Sequence, residues 1–283
     1  MNLRNALNQA SRILIKNEII KSTLLDSEIL MCKAINRNRE FIISNLNNKI
    51  DKNSLKYFKD LVLQRACGKP ISYITGTKNF WKFQFQINNN VLIPRPDTEI
   101  IIEEVIKITK NKKKLRVLDI GVGSGCILLS ILKERKNFSG IGIDLSKKCI
   151  DLSRLNAFKL QLGNRVKFFK SDIDNFNNGQ YDLIVSNPPY INQFDLKKLD
   201  KDVKNFEPKL ALDGGLDGLS EIRKVINKSS DLIKLNGMLI LEIGFNQKNK
   251  VKKILTNKGF YINKVVKDYA NNDRCIISTK IKS

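Results

Sequence analysis

The sequence predicts an α/β chain: a doubly wound, mostly parallel sheet preceded by a small helical domain and a β-hairpin connector. Three observations predict it. Residues 1–70 carry apolar side chains at helical spacing. Residues 71–93 switch to strand-like alternation. From residue 97 onward, short apolar strands alternate with helical stretches, the pattern of a parallel sheet covered on both faces.

The elements follow in order. Helices are expected over 3–15, 24–35 and 55–66. In the first of these Leu3, Leu7, Ala10 and Leu14 share one face. The same stretch holds Arg4, Arg12 and Lys16 with no acid before Glu18, a weak likeness to a transit peptide; an ordinary amphipathic helix is the reading adopted. Asp26 and Ser54 fall near helix starts. Gly68-Lys69-Pro70 stops the helical pattern. Residues 71–75 and 80–87 read as the strands of a hairpin with Gly76 in its turn, because Phe83, Phe85 and Ile87 alternate with Lys82, Gln84 and Gln86. Strands are then expected at 115–120, 140–143, 166–169, 183–185, 238–243, 261–266 and 275–278. Helices are expected at 127–132, 147–160, 222–235 and 251–255. The basic run 110–114 reads as a solvated loop. The expected domains are 1–70, 71–93 as connector, and 94–283.

Composition narrows the chemistry. A chain of 283 residues fits one or two domains, and 42% hydrophobic residues suffice for a core. No apolar run is long enough to cross a bilayer, and no secretory signal is evident, so a cytoplasmic protein is expected. The net charge of +23 favours an anionic partner. A general bias toward Lys, Asn and Ile explains it equally well, since the charge is spread along the chain. The five cysteines form no Cys-x-x-Cys pair and read as reduced thiols, with no metal expected. The chain has no histidine, which excludes Ser-His-Asp triads, His metal sites and imidazole bases.

Two motifs carry the chemistry. Val117-Leu118-Asp119-Ile120-Gly121-Val122-Gly123-Ser124-Gly125 reads as a strand, a glycine turn and a helix start, where backbone can approach a ligand. The glycine spacing departs from the dinucleotide pattern, and no Gly-Lys-Ser/Thr is present. Asp144 ends the next strand, where an acid can accept from both hydroxyls of a ribose. Asp172 ends the third, either facing an adenine amine or capping a turn. Asn187-Pro188-Pro189-Tyr190 follows the fourth strand. All four positions are carboxyl ends of strands, where open parallel sheets bind ligands. An amide or aryl-amine nitrogen is a weak planar nucleophile. An Asn oxygen and a proline carbonyl can each accept one hydrogen of such an NH2, and a tyrosine ring can stack on it.

The glycine turn, Asp144 and Asn187-Pro188-Pro189-Tyr190 resemble class I S-adenosylmethionine methyltransferases acting on planar nitrogen. Leu92-Ile93-Pro94-Arg95-Pro96-Asp97-Thr98-Glu99 is similar to the peptide chain release factor glutamine methyltransferase family. So are Phe206-Glu207-Pro208, residues 212–218 and residues 268–274. The resemblance implies a Rossmann-like catalytic domain over 94–283 and a substrate-binding helical domain over 1–70. It implies the glutamine of a Gly-Gly-Gln loop in class I release factors as substrate. Asn187 and the Pro188 carbonyl would bind the target amide, with Pro189 beside them and Tyr190 packed against it. Gly121, Val122, Gly123, Ser124 and Gly125 would line the methionine end of S-adenosylmethionine, Asp144 would meet the ribose, and Asp172 and Ile173 the adenine. An aromatic residue often follows the acid in this family; Ile173 stands there instead. Arg95 and Glu99 either shape the site mouth or form a structural salt bridge. The chain is expected to act as a monomer, without nucleic acid or membrane. The rivals are glutamine methylation of a ribosomal protein, methylation of the adenine exocyclic amine in RNA or DNA, and a non-catalytic RNA-binding module.

Overall fold

The computed structural model describes residues 1–17 and 20–282. The chain divides into two compact units, Met1–Thr77 with Leu199–Glu207, and Lys78–Lys198 with Pro208–Ser283.

The first unit opens with α1 (Leu3–Ile15), α2 (Thr23–Ile35), α3 (Arg39–Ser44), α4 (Lys52–Ala66) and α5 (Ile71–Thr75). Leu7, Leu14, Leu30, Met31, Ile42 and Phe58 form its core. Asn2 caps α1 and Asp51 caps α4, each side chain accepting from the amide three residues on. Ser54 is therefore the amide donor of that cap. Asp26 lies in the first turn of α2 but points into the unit, pairing with Arg65 at 2.7 Å, both side chains buried.

Residues 71–75 are helical, not a hairpin strand. Pro70 starts the turn, Gly76 ends it with φ 80°, and the Gly76 amide donates to Ser72 O at 2.9 Å. The apolar pair Tyr73 and Ile74 is buried by this single turn, which a period-two reading of five residues could not distinguish. The hairpin is shorter, β1 (Thr77–Phe80) and β2 (Phe83–Gln86), and turns at Trp81, which has φ 55°. The Trp81 amide donates to Glu99 Oε1 at 2.7 Å, so Glu99 has a structural task.

The second unit continues with α6 (Glu99–Ile108), β3 (Arg116–Ile120), α7 (Cys126–Glu134), β4 (Ser139–Asp144), α8 (Lys147–Lys159), β5 (Val166–Lys170), β6 (Tyr181–Ser186) and α9 (Gln193–Leu196). The short helix α10 (Lys201–Phe206) belongs to the first unit. Then come α11 (Ser220–Leu232), β7 (Ile233–Glu242), α12 (Lys248–Asn257), β8 (Phe260–Lys267) and β9 (Asp273–Lys280). The seven strands run β5-β4-β3-β6-β7-β9-β8. Neighbours from β5 to β7 are parallel, whereas β9 is antiparallel to β7 and β8. One core, holding Val117, Leu128 and Phe168, and another, holding Leu118, Tyr181 and Ile226, account for the alternate residues of the central strands.

Helix α11 stops at Leu232 rather than at 235. Ile233 is already extended, and Lys234 pairs with Asp182 at 2.6 Å, so the last expected helical turn belongs to β7. Helix α6 has no counterpart in the sequence reading; it opens on the buried β-branched run Ile100-Ile101-Ile102, which fits a strand as well as a helix. The order places β3 and β6 side by side while the chain departs from β3 to β4 and β5. That is a topological switch point, and the carboxyl ends of β3, β4, β5 and β6 converge there.

Candidate active site

Beyond Ile120, the turn holds Gly121 at φ 78°, Gly123 at 54° and Gly125 at 83°, a region L side chains rarely occupy. The Gly121 and Val122 amides both donate to Ile143 O at 2.9 Å, which ties the turn to β4. A Cβ built at Gly121 would meet no atom within 4 Å, so this part of the turn faces open space. At Gly125 it would lie 2.9 Å from Leu129 Cδ1, so this glycine serves packing at the start of α7. Asn156 of α8 fastens the turn to the hairpin: its Nδ2 donates to Ser124 O at 2.8 Å and to Gln86 O at 3.0 Å.

Asp144 ends β4. Its Oδ2 accepts from the Gly123 amide and its Oδ1 from the Ser146 amide, each at 2.9 Å. Burial raises its pKa, and the two amides oppose that shift. Asp172 is exposed and accepts from the Asp174 amide at 3.1 Å. It therefore shapes a turn while also lining the cleft with Ile173.

The end of β6 is held from below by Ser186 Oγ, which donates to Ile120 O at 2.7 Å. Asn187 Nδ2 donates to Thr98 Oγ1 at 3.1 Å. Tyr190 is tethered through its hydroxyl. Its hydroxyl donates to Glu242 Oε1 at 3.2 Å and accepts from Arg274 Nη1 at 3.3 Å, so the phenol faces a buried polar cluster. Arg274 also bridges Asp268 at 2.9 Å and lies 3.7 Å from Asp97.

A cleft of about 800 Å³ joins these elements. Gly121, Val122, Gly123, Ser124, Asp144, Asp172, Ile173, Asn187, Pro188 and Pro189 line it. Gly125 and Tyr190 are not among its lining residues. Arg95, Thr98, Leu145 and Lys209 join from segments the sequence reading had assigned no site contact or left open.

Two buried carboxyls stand beside the site and were missed. Asp119, one strand position before Ile120, is fully buried with neither oxygen hydrogen-bonded among the described residues. Burial pushes its carboxyl up to about 7, with Asp144 adding to the shift. Glu242 at the end of β7 is likewise pushed up to about 7 by burial, while Thr98, Arg274 and Tyr190 pull it back. An acid inside each apolar strand was the available signal.

Strand order, glycine turn and the acid after the second strand define a Rossmann-like methyltransferase. A methyltransferase structure from Pyrococcus furiosus has the same fold, with TM-score 0.53 and 17% identity over 79% of this chain and 98% of that one. Two family descriptions match the chain, the PrmC N-terminal domain over residues 5–76 and the methyltransferase small domain over 97–206. A release factor glutamine methyltransferase of Clostridium acetobutylicum is 37% identical over 99% of both chains. One of Caulobacter vibrioides is 35% identical over 96% of this chain and 94% of its own. The chain belongs to the release factor glutamine methyltransferase family.

Proposed function

We propose that this protein methylates the side-chain amide nitrogen of the glutamine in the Gly-Gly-Gln loop of class I peptide chain release factors, with S-adenosylmethionine as donor. The observation that carries the reading is Asn187. Its Nδ2 is engaged by Thr98, its Oδ1 accepts no hydrogen bond from the described residues, and the side chain lines the same cleft as the glycine turn.

The residues present fit the donor. The open backbone at Gly121 leaves room for the methionine end, Asp144 retains lone pairs for a ribose, and Ile173 offers an apolar surface to a base. S-adenosylmethionine supplies an electrophilic methyl group on a sulfonium.

The chain supplies position and polarity. Asn187 Oδ1 and the Pro188 carbonyl accept the two hydrogens of the target NH2 and aim its nitrogen across the cleft. Positive charge then grows on that nitrogen against two oriented oxygens. The proton to be lost becomes acidic as the bond forms, so a strong base is unnecessary, in keeping with a chain without histidine. Pro188 and Pro189 stiffen the loop, and Tyr190 anchors it through Glu242 and Arg274.

The helical unit, which carries the PrmC N-terminal match, grips the release factor, and the enzyme works as a cytoplasmic monomer. No helix among the described residues is long and apolar enough to cross a membrane. The test is methyl transfer from labelled S-adenosylmethionine to release factor, to the same factor with its glutamine replaced, to ribosomal protein and to total RNA. Label on the intact release factor alone is expected. Label on RNA would keep the Asn187 chemistry and overturn the substrate.

A further inference from the structure

The segment Pro94-Arg95-Pro96-Asp97-Thr98-Glu99 is distinctive in the sequence, and of it the proposed reaction uses only the contact of Thr98 with Asn187. Thr98 closes a short 3-10 turn, Pro96–Thr98, is 3% exposed, and lines the cleft. Its Oγ1 receives the Asn187 Nδ2 hydrogen at 3.1 Å.

A primary amide can flip. With its oxygen toward the cleft, Asn187 accepts a hydrogen from an NH2 group. With its nitrogen there, it presents donors to donors and repels the target. The direction therefore depends on what Thr98 does with its own hydroxyl hydrogen. If that hydrogen points elsewhere, Oγ1 can only accept from Asn187.

Leu241 of β7 pairs with Ser186 of β6, which brings the buried Glu242 carboxyl level with Asn187 and its partner Thr98. Its Oε1 accepts from Tyr190 at 3.2 Å, and its Oε2 is buried without a hydrogen bond. That oxygen is an unfilled acceptor at the level of the Thr98 hydroxyl, and the hydroxyl in turn draws the carboxyl's pKa down. An orphaned acceptor beside a hydroxyl fixes which way the hydroxyl points.

Resting on the proposed reaction, we infer that Thr98 is a positioning residue: its hydroxyl, turned toward Glu242, holds the Asn187 carboxamide with its oxygen facing the target nitrogen. A valine keeps the shape and loses both hydrogen-bonding roles. A serine keeps the hydroxyl and loses only a methyl.

The experiment compares wild type, Thr98→Val, Thr98→Ser, Asn187→Ala and the Thr98→Val/Asn187→Ala double variant under single-turnover methyl transfer to release factor, with donor binding measured separately. Thr98→Val is expected to lower the transfer rate roughly tenfold or more. Its donor affinity and KM for release factor should stay within about twofold of wild type, the pattern of an interaction made in the transition state. Thr98→Ser should retain the rate, and Thr98→Val should lower nothing further once Asn187 is gone. The inference is overturned by an unimpaired Thr98→Val, by a serine variant as slow as the valine, or by equal losses with and without Asn187. Wild-type enzyme that labels RNA instead of release factor counts against the substrate alone; the same variants are then compared on RNA, whose adenine amine is also an NH2 group.

Discussion

At the residue scale, Asn187 is the group on which the chemistry turns. It sits where backbone geometry leaves little freedom: after the last parallel pair of β6, with Ser186 bonded down to Ile120 O and two prolines following. Replacing it with alanine removes the oriented acceptor but leaves the glycine turn and Asp144 untouched. Asn187→Ala should lower kcat about 10²–10³-fold. Donor binding, followed by calorimetry, should persist; a variant with wild-type turnover would sink the mechanism. The neighbouring Tyr190 carries a structural task besides the one its motif implies. Its phenol needs hydrogen-bond partners, and Glu242 and Arg274 supply them.

Among the elements, α2 and α4 carry a feature that periodicity does not reveal. Asp26 was legible as a residue near a helix start; its partner Arg65 lies 39 positions away, and the pair is buried at 2.7 Å. Arg65 also donates to Lys69 O at 3.0 Å, and Ser22 Oγ donates to Asp26 Oδ1 at 3.0 Å. Removing one partner leaves a buried charge without compensation. Arg65→Ala should therefore destabilise the protein by about 3–5 kcal/mol, read from the urea midpoint. A loss under about 1 kcal/mol would mean that the pair behaves as a surface ion pair. Helix α5 and the shortened hairpin teach a related lesson. Five residues between Pro70 and Gly76 fit either a strand or one helical turn, and the choice depends on burying Tyr73 and Ile74.

Across the whole molecule, the buried carboxyls Asp119 and Glu242 tie stability to pH. Both are raised to about 7, from 3.8 and 4.5 respectively. The native chain therefore keeps protons that the unfolded chain releases in that interval. Their stabilising contribution is fully present below the unfolded values and declines as pH rises through about 7. In Asp119→Asn one titrating group is gone. Its urea-derived stability should fall less than that of wild type between pH 5 and pH 8, by on the order of 1 kcal/mol or more. Parallel profiles would show that Asp119 does not titrate in that range. The net charge of +23 is a second whole-molecule property; it favours an anionic partner, and a general bias toward Lys explains it equally well.

Much of this was determined by local sequence. The alternation after residue 97, the stop at Gly68-Lys69-Pro70 and the glycine turn follow from short-range sterics and hydrophobic period, which any few consecutive residues display. The placing of Gly121, Asp144, Asp172 and Asn187 at strand ends follows from the same local rules, and a parallel sheet then gathers them by topology. Helix α6 was invisible because the run Ile100-Ile101-Ile102 obscures the helical period that Glu103 and Lys107 otherwise mark. Thr98, Glu242 and Arg274 were invisible as site residues for a different reason. Asn187 meets Thr98 across 89 positions, and Tyr190 meets Glu242 across 52. Contacts at such separation arise only when the sheet forms and brings distant strand ends together. The sequence by itself determined which groups can do the chemistry; tertiary structure decided which of them face the cleft and which hold the others in place, because orientation depends on partners that no local pattern encodes.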